Sequence, residues 1–329
     1  MSELPQILFI DRNTATSLLD LKECIEVVQA AFEAHAMGKS YEPQLVHVTT
    51  ESGEFHIKTG GIRGPHSFFA CKVGGGFFNN RKTFGWPNIM GMLALFDANT
   101  GAPLAVIESG ALTKARTGAA TAVAARYLAR PTSSVVTVCG AGNQAESQLR
   151  ALSLVLPIRK VFIWSRSGAR DFAAKMSREL GIQVEENENL RSASLQSDVV
   201  VTCTPSKQWF LSQADVAEGT FVAAIGADSP DKQELDPNLL AHASVVCDLT
   251  SQCVKVGELH HAMDAGLMTP ERVRGDLGDV IIGRTRRRET DNETIIFDST
   301  GTALQDVATA VLVYERARVS KKGQLNSLY

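Results

Sequence analysis

A lysine inside an apolar strand, an arginine opening a small-residue helix and an aspartate just past a strand end are the side chains best placed to do chemistry. Lys72 lies in Phe68-Phe-Ala-Cys-Lys-Val73, with apolar residues on both sides. It is either an edge residue reaching solvent or a buried amine with a task. Burial and a neighbouring cation would lower its pKa, making it usable as an acid or base as well as an anchor for a carboxylate. Arg116 lies in Leu112-Thr-Lys-Ala-Arg-Thr-Gly118. A guanidinium beside helix-start N–H groups makes a clamp for a carboxylate or pyrophosphate; the plainer reading is a surface arginine. Asp228, in Gly226-Ala-Asp-Ser-Pro230, follows the apolar run Phe221 to Ile225. It could exchange a proton with a substrate amine, or simply cap a turn.

A glycine pattern says what these groups would work with. Val135, Val136 and Val138 form a short β-branched run, followed by Gly140-x-Gly142-x-x-Ala145 and a helical stretch from Gln144. Strand, glycine turn and helix together form the dinucleotide-binding fingerprint. Gly140 makes the turn, Gly142 lets the backbone approach a pyrophosphate, and Ala145 allows helix to pack on strand. The N–H groups opening the helix then hold the phosphates. The next apolar strand, Lys160 to Trp164, ends in Ser165-Arg166-Ser167 with Arg170 behind it. An NAD site usually has a carboxylate there for the ribose hydroxyls. Two serines and an arginine suit the 2′-phosphate of NADP instead, so NADP(H) is expected, with NAD(H) possible.

The elements that must position these groups alternate in kind. A strand at Ile7 to Ile10 and a helix from Leu21 to Met37, stopped by Gly38, open the chain. Alternating segments at 44–50, 54–58, 67–73, 88–96 and 103–108 follow, bounded by Gly, Pro or Asn as antiparallel strands are. Thr113 to Arg130 is a helix of Ala, Gly and Thr that could pack very closely, ended by Pro131. Strands at 134–139, 160–164, 182–184, 198–203, 220–225 and 244–247 then alternate with helices, the doubly wound α/β signature. Ile295 to Phe297 could add a strand. Thr302 to Arg318 reads as a long helix returning to the first region, and Arg284 to Arg288 as a solvated loop.

Bulk properties exclude several classes. The 329 residues are 44% apolar and 21% charged, enough for two domains with sizeable cores. A net charge of −3 gives no reason to expect nucleic acid or an anionic membrane as a partner. Cysteines 24, 71, 139, 203, 247 and 253 include no C-x-x-C pair and no zinc spacing, so free thiols and no metal are expected. The N-terminal stretch has no basic region of a signal peptide, and no run approaches the roughly 18 apolar residues of a membrane span. A cytoplasmic location is expected.

Lys72, Leu112-Thr-x-x-Arg-Thr117, Gly140-x-Gly-x-Gln-Ala-Glu146, Gly226-Ala-Asp-x-Pro-x-Lys-x-Glu-Leu235 and Phe297-Asp-Ser-Thr-Gly301 occur in register along nearly the whole chain. This set resembles the ornithine cyclodeaminase/μ-crystallin family. The resemblance implies a Rossmann doubly wound parallel sheet plus a discontinuous α+β substrate-binding and dimerisation domain. The boundaries would fall at 1–118 with 306–329, and at 119–305, in a homodimer. It further implies that Lys72 and Arg116 hold a substrate α-carboxylate and that Asp228 handles the substrate nitrogen. Asn88, Arg116, Thr117, Gly140, Ala141, Gly142, Asn143, Gln144, Ser165, Arg166, Ser167, Thr204, Ser299 and Gly301 would serve the cofactor.

Departures from the family pattern bear on the substrate. Cyclodeaminases resemble one another in a Pro-Arg pair where this chain has Pro43-Gln44, and in a strand glutamate that holds a distal ammonium. The matching place here holds His56, with Lys58 two residues on and on the same strand face. A lysine and a histidine would repel an ammonium and attract an anion; an outward-facing sheet lysine is the plainer reading of Lys58. Gln44, His56 and Lys58 therefore join the expected substrate contacts. An imine reductase or amino-acid dehydrogenase for a small 2-imino or 2-amino acid, with an acidic side chain, fits best, nearest to iminosuccinate-reductase-like and ectoine-utilisation-like members. A cyclodeaminase and a crystallin-like NADPH-binding protein are the alternatives.

Overall fold

The computed structural model describes residues 6–327. The first five residues, part of the stretch read for a leader, and the last two lie outside the described residues. The chain divides into two units, Met1–Arg116 with Thr302–Tyr329, and Thr117–Gly301.

The first unit is built on a seven-stranded sheet. Its strands are β1 (Gln6–Ile10), β2 (Ser40–Thr49), β3 (Glu54–Ile62), β4 (Phe68–Gly76), β5 (Ile89–Asp97) and β6 (Pro103–Glu108), with a C-terminal strand Gln324–Ser327 on the β1 edge. From β2 to β6 every neighbouring pair is antiparallel. β1 runs parallel to β6, and Gln324–Ser327 antiparallel to β1. Successive residues alternate between the two faces. Leu8, Ile10, Ala70, Leu93, Leu95, Ala105 and Ile107 point to one face and form a core with Val307, Ala310, Val313 and Ala317 of the helix Ala303–Ser320. The expected return of that helix to the first region is thus observed.

On the opposite face Val46, Val48, Phe55, Met90 and Met92 are exposed. The helix Leu21–Ala36 starts on Asp20, whose carboxylate accepts from Glu23 N, and is followed by Gly38 at φ +70°. In this unit three short elements escaped the sequence reading: the helices Arg12–Leu18 and Asn80–Phe84, and the strand Gln324–Ser327. Arg12–Leu18 follows a capping aspartate, Asp11, but has only two buried side chains to mark its face.

The second unit holds an eight-stranded sheet. Its strands are β7 (Val135–Cys139), β8 (Lys160–Trp164), β9 (Gln183–Glu186), β10 (Val199–Thr202), β12 (Phe221–Ala224), β14 (Ser244–Cys247), β15 (Gly275–Asp276) and β16 (Ile295–Asp298). The short pair β11 (Lys207–Leu211) and β13 (Gln233–Leu235) stands apart. The order is β15-β14-β16-β12-β10-β7-β8-β9, with every neighbouring pair parallel. Such a sheet is buried on both faces, which is why its strands are continuous runs of Val, Ile, Phe and Ala.

The run β9-β8-β7-β10-β12 reproduces the doubly wound 3-2-1-4-5 order, and the chain reverses direction across the sheet at β7. Close packing explains the small residues of the helix Ser109–Leu128. A Cβ on Gly118 would lie 2.5 Å from Ser147 Oγ of the helix Asn143–Leu152. The arginine run is less solvated than expected, because Arg288 is drawn inward and donates from Nε to the carbonyl of Leu128 at 2.8 Å. The six cysteines are free. Among the described residues no helix is long and apolar enough to cross a membrane.

Candidate active site

Register explains why Lys72 is unusual. It sits opposite Leu93 on β5 and opposite Lys58 on β3, on the face that packs on the helix Ala303–Ser320. Two ammonium groups thus occupy directly paired core positions, where like charges repel. Lys58 and Lys72 are 3% and 5% exposed, so both plainer readings, an outward-facing Lys58 and an edge Lys72, are set aside. Arg116, 5% exposed, joins them from the helix Ser109–Leu128.

Asp306, in the first turn of Ala303–Ser320, meets the cations and is 1% exposed. Lys72 Nζ lies 2.8 Å from Asp306 Oδ1 and 2.7 Å from Oδ2, and Arg116 Nε lies 3.1 Å from Oδ1. Arg116 Nη1 donates to Gln305 Oε1 at 2.6 Å. Burial, together with Arg116 and Lys58, lowers the Lys72 pKa to about 7, while Asp306 opposes the fall. Burial acts to raise the Asp306 pKa, but the surrounding cations outweigh it and hold the carboxyl below its ordinary value. Three cationic side chains facing one carboxylate make a cluster of net positive charge that a second carboxylate would balance.

Sequence reading missed Asp306 and Gln305. The available signal was an acidic residue directly ahead of the small and apolar run Val307 to Val313. It also missed Glu54, which lies two residues before His56 on the same face of β3. Glu54 Oε2 is 3.0 Å from His47 Nε2 and 3.6 Å from His56 Nε2. The strip beyond Lys58 is therefore not purely cationic, which weakens the case for a substrate with a second anionic end. Gln44 is not brought to this strip. It pairs with Thr59, and its side chain belongs to the face of Val46 and Val48. Asn88 organises its own loop, accepting from Arg81 N on Oδ1 at 2.9 Å.

In the second unit the glycine turn does what its residues require. Gly140 has φ +121°, and a Cβ there would lie 3.2 Å from Cys203 O, whereas a Cβ on Gly142 would meet nothing within 4 Å. The helix Asn143–Leu152 begins without a side-chain cap, leaving its first N–H groups facing the turn. A cleft of about 1330 Å³ opens here, at the carboxyl ends of β7, β8 and β10. Gly140, Ala141, Gly142, Ser165, Arg166, Ser167 and Thr204, all among the residues expected to serve a cofactor, line it. Asn143, Gln144 and Thr117 lie outside that lining.

Trp164, Trp209, Phe210 and Glu186 are additional walls, and Trp164 packs on Phe210 at 5.0 Å between centroids with the rings tilted by 36°. Glu186 supplies a carboxylate from β9 where none was found at the end of β8, and its Oε1 accepts from Ala169 N at 2.5 Å. The open turn, the uncapped helix and the flat aromatic walls fit a dinucleotide.

Asp228 follows β12 and accepts from Lys232 Nζ at 2.7 Å. Behind it, buried Glu234 binds two loops together. Its Oε1 accepts from Thr204 N and Oγ1 at 2.6 and 2.7 Å, and its Oε2 from Gly226 N at 2.9 Å. Ser299 and Gly301 are held by Asp248, which accepts from Ser299 Oγ at 3.1 Å and Gly301 N at 2.7 Å. Thr204, Ser299 and Gly301 thus sit in loops fixed by buried carboxylates that the sequence reading did not single out.

The model of the ornithine cyclodeaminase/mu-crystallin family matches residues 8–321. The chain belongs to this family. An archaeal alanine dehydrogenase dimer with bound NAD superposes at a TM-score of 0.93 with 36% identity, over 99% of this chain and 100% of that one. The Δ(1)-pyrroline-2-carboxylate reductase of Thermococcus litoralis, in complex with NADH and L-proline, gives 0.92 and 30%, over 98% and 100%. Iminosuccinate reductase of Paracoccus denitrificans is 35% identical over 315 residues, 95% of this chain and 97% of that one. The resemblance read from the motifs and the expected α/β architecture with its parallel sheet are both borne out.

Proposed function

We propose that this ornithine cyclodeaminase/mu-crystallin family member is an NAD(P)H-dependent oxidoreductase acting on the C=N or CH–NH bond of a small 2-imino or 2-amino acid. The observation that carries the reading is the convergence of buried Lys72 and Arg116 on Asp306. It is supported by the near-complete overlap with relatives named as reductases and dehydrogenases. Unit Met1–Arg116 with Thr302–Tyr329 binds substrate and pairs with a second copy, and unit Thr117–Gly301 binds the dinucleotide. The exposed apolar sheet face supports the pairing, as does the dimer formed by the archaeal relative.

Lys72 and Arg116 hold the α-carboxylate, and their positive charge draws electron density from the adjacent C=N carbon. Reduced nicotinamide supplies the hydride when bound. Asp228, kept beside the Lys232 ammonium, passes a proton to the substrate nitrogen directly or through a water. Arg166 with Ser165 and Ser167 favours NADP(H); Glu186 in the same cleft is compatible with NAD(H) as well.

The test is nicotinamide absorbance with NADPH or NADH, given oxaloacetate, pyruvate or glyoxylate with ammonia or methylamine, or given a cyclic imino acid. Amine-dependent oxidation establishes the reductase. Lys72→Ala should abolish it and leave dinucleotide affinity nearly intact. Glu54 beside His56 favours one second reading, cyclodeamination of a diamino acid whose distal ammonium pairs with that carboxylate. That reaction releases ammonia with no net change in nicotinamide.

A further inference from the structure

We infer that the β2–β3 hairpin carries a binding site for one divalent transition-metal ion of the zinc class, with His47, Glu54 and His56 as its ligands. His47 and His56 are directly paired across the two strands, and Glu54 shares their face. The imidazole rings meet edge to face at 4.8 Å between centroids. One donor atom from each residue lies within 4.8 Å of the other two.

Donors around a tetrahedral zinc, at about 2.0–2.1 Å each, stand about 3.3 Å apart. The separations from Glu54 Oε2, 3.0 Å to His47 and 3.6 Å to His56, straddle that value. An ion would therefore replace the proton between Glu54 and His47, with the two imidazoles, whose donor atoms lie within 4.8 Å of each other, closing around it.

Two features make the site more than a chance cluster. Its ligands sit on strands of continuous register from Gln44 to Thr49 and from Glu54 to Thr59. The connecting turn is closed by Thr50 N donating to Gly53 O at 2.8 Å and Thr50 Oγ1 donating to the same carbonyl at 2.9 Å. Ligands on paired strands are held in place before the ion arrives. The three side chains are also only partly buried, although His56 Nε2 itself is shielded from solvent, so an ion would reach the cluster from the His47 side.

Two imidazoles and one carboxylate select zinc, cobalt or nickel over magnesium or calcium, which require oxygen ligands. The other candidate cluster, Cys247, Cys253 and Asp298, is fully buried. There Asp298 is already occupied in accepting from Leu259 N at 2.8 Å.

The experiment titrates chelator-treated full-length protein with zinc chloride by calorimetry and with cobalt chloride by absorbance. The expected result is one ion per chain, with a cobalt spectrum that lacks a thiolate charge-transfer band. His47→Gln and Glu54→Gln should each weaken binding by at least about tenfold. Wild-type affinity in both variants would overturn the assignment. So would a thiolate band, magnesium binding as tightly as zinc, or no zinc binding below about 100 μM. None of these outcomes depends on the reductase reading.

Discussion

Asp306→Asn tests the charge cluster most directly. The substitution keeps the shape of the side chain and one acceptor but removes the carboxylate that Lys72 Nζ meets, now at 2.8 and 2.7 Å from its two oxygens. Leaving a buried charge without its partner costs about 3–5 kcal/mol. Lys72 can escape part of that cost by releasing its proton, because its pKa is already near 7 and Asp306 is what holds it up. The loss should therefore be largest at low pH, about 3 kcal/mol near pH 5.5, and smaller above pH 8.

For units of this size that loss lowers the unfolding midpoint by roughly 6–12 °C. Thermal melts at pH 5.5, 7 and 8.5 read it directly, and kcat/KM on the same protein should drop by about a hundredfold. Adding Lys72→Met to Asp306→Asn should restore part of the stability and none of the activity, since Lys72 is then removed with its partner while Arg116 still lacks its own. An Asp306→Asn protein that melts like wild type at every pH would refute the argument that these charges depend on one another.

Three further outcomes follow from the same geometry. Because burial depresses the Lys72 pKa to about 7, the anion-binding charge is present below that pH and lost above it. In a pH series kcat/KM for a carboxylate substrate should fall with one-proton slope on the alkaline side, and Lys72→Arg should remove that limb. Arg166→Ala should raise KM for NADPH by about tenfold and change KM for NADH less than twofold, measured by initial rates; equal changes would mean that Arg166 does not meet a 2′-phosphate. Gly140→Ala places a Cβ at φ +121° and 3.2 Å from Cys203 O, so fluorescence titration should show dinucleotide affinity reduced by at least tenfold.

What could be read from the sequence was what neighbouring residues impose on one another. The glycine turn was legible because strand, turn and helix are contiguous, and Lys72 because an ammonium inside an apolar strand is locally anomalous. Asp306 was not, since it meets Lys72 across 234 residues and only the returning helix brings them together. Glu186 and Trp209 were hidden because Glu186 enters the cleft from the end of β9 and Trp209 from the separate β11–β13 pair, and no pattern near the glycine turn announces either wall. Gln44 was misplaced by one step of parity. A register shift between Tyr41 and Gln44 fixes which face it joins, and no local pattern announces that shift.

The charge cluster also constrains how the gene can change. Losing Asp306 strands the three cations that face it, and losing Lys72 shifts the balance around Arg116, so each single step is a loss before it can be a gain. Positions 58, 72, 116 and 306 are therefore expected to be inherited as a block, varying together or not at all, although they lie in four different elements of the chain.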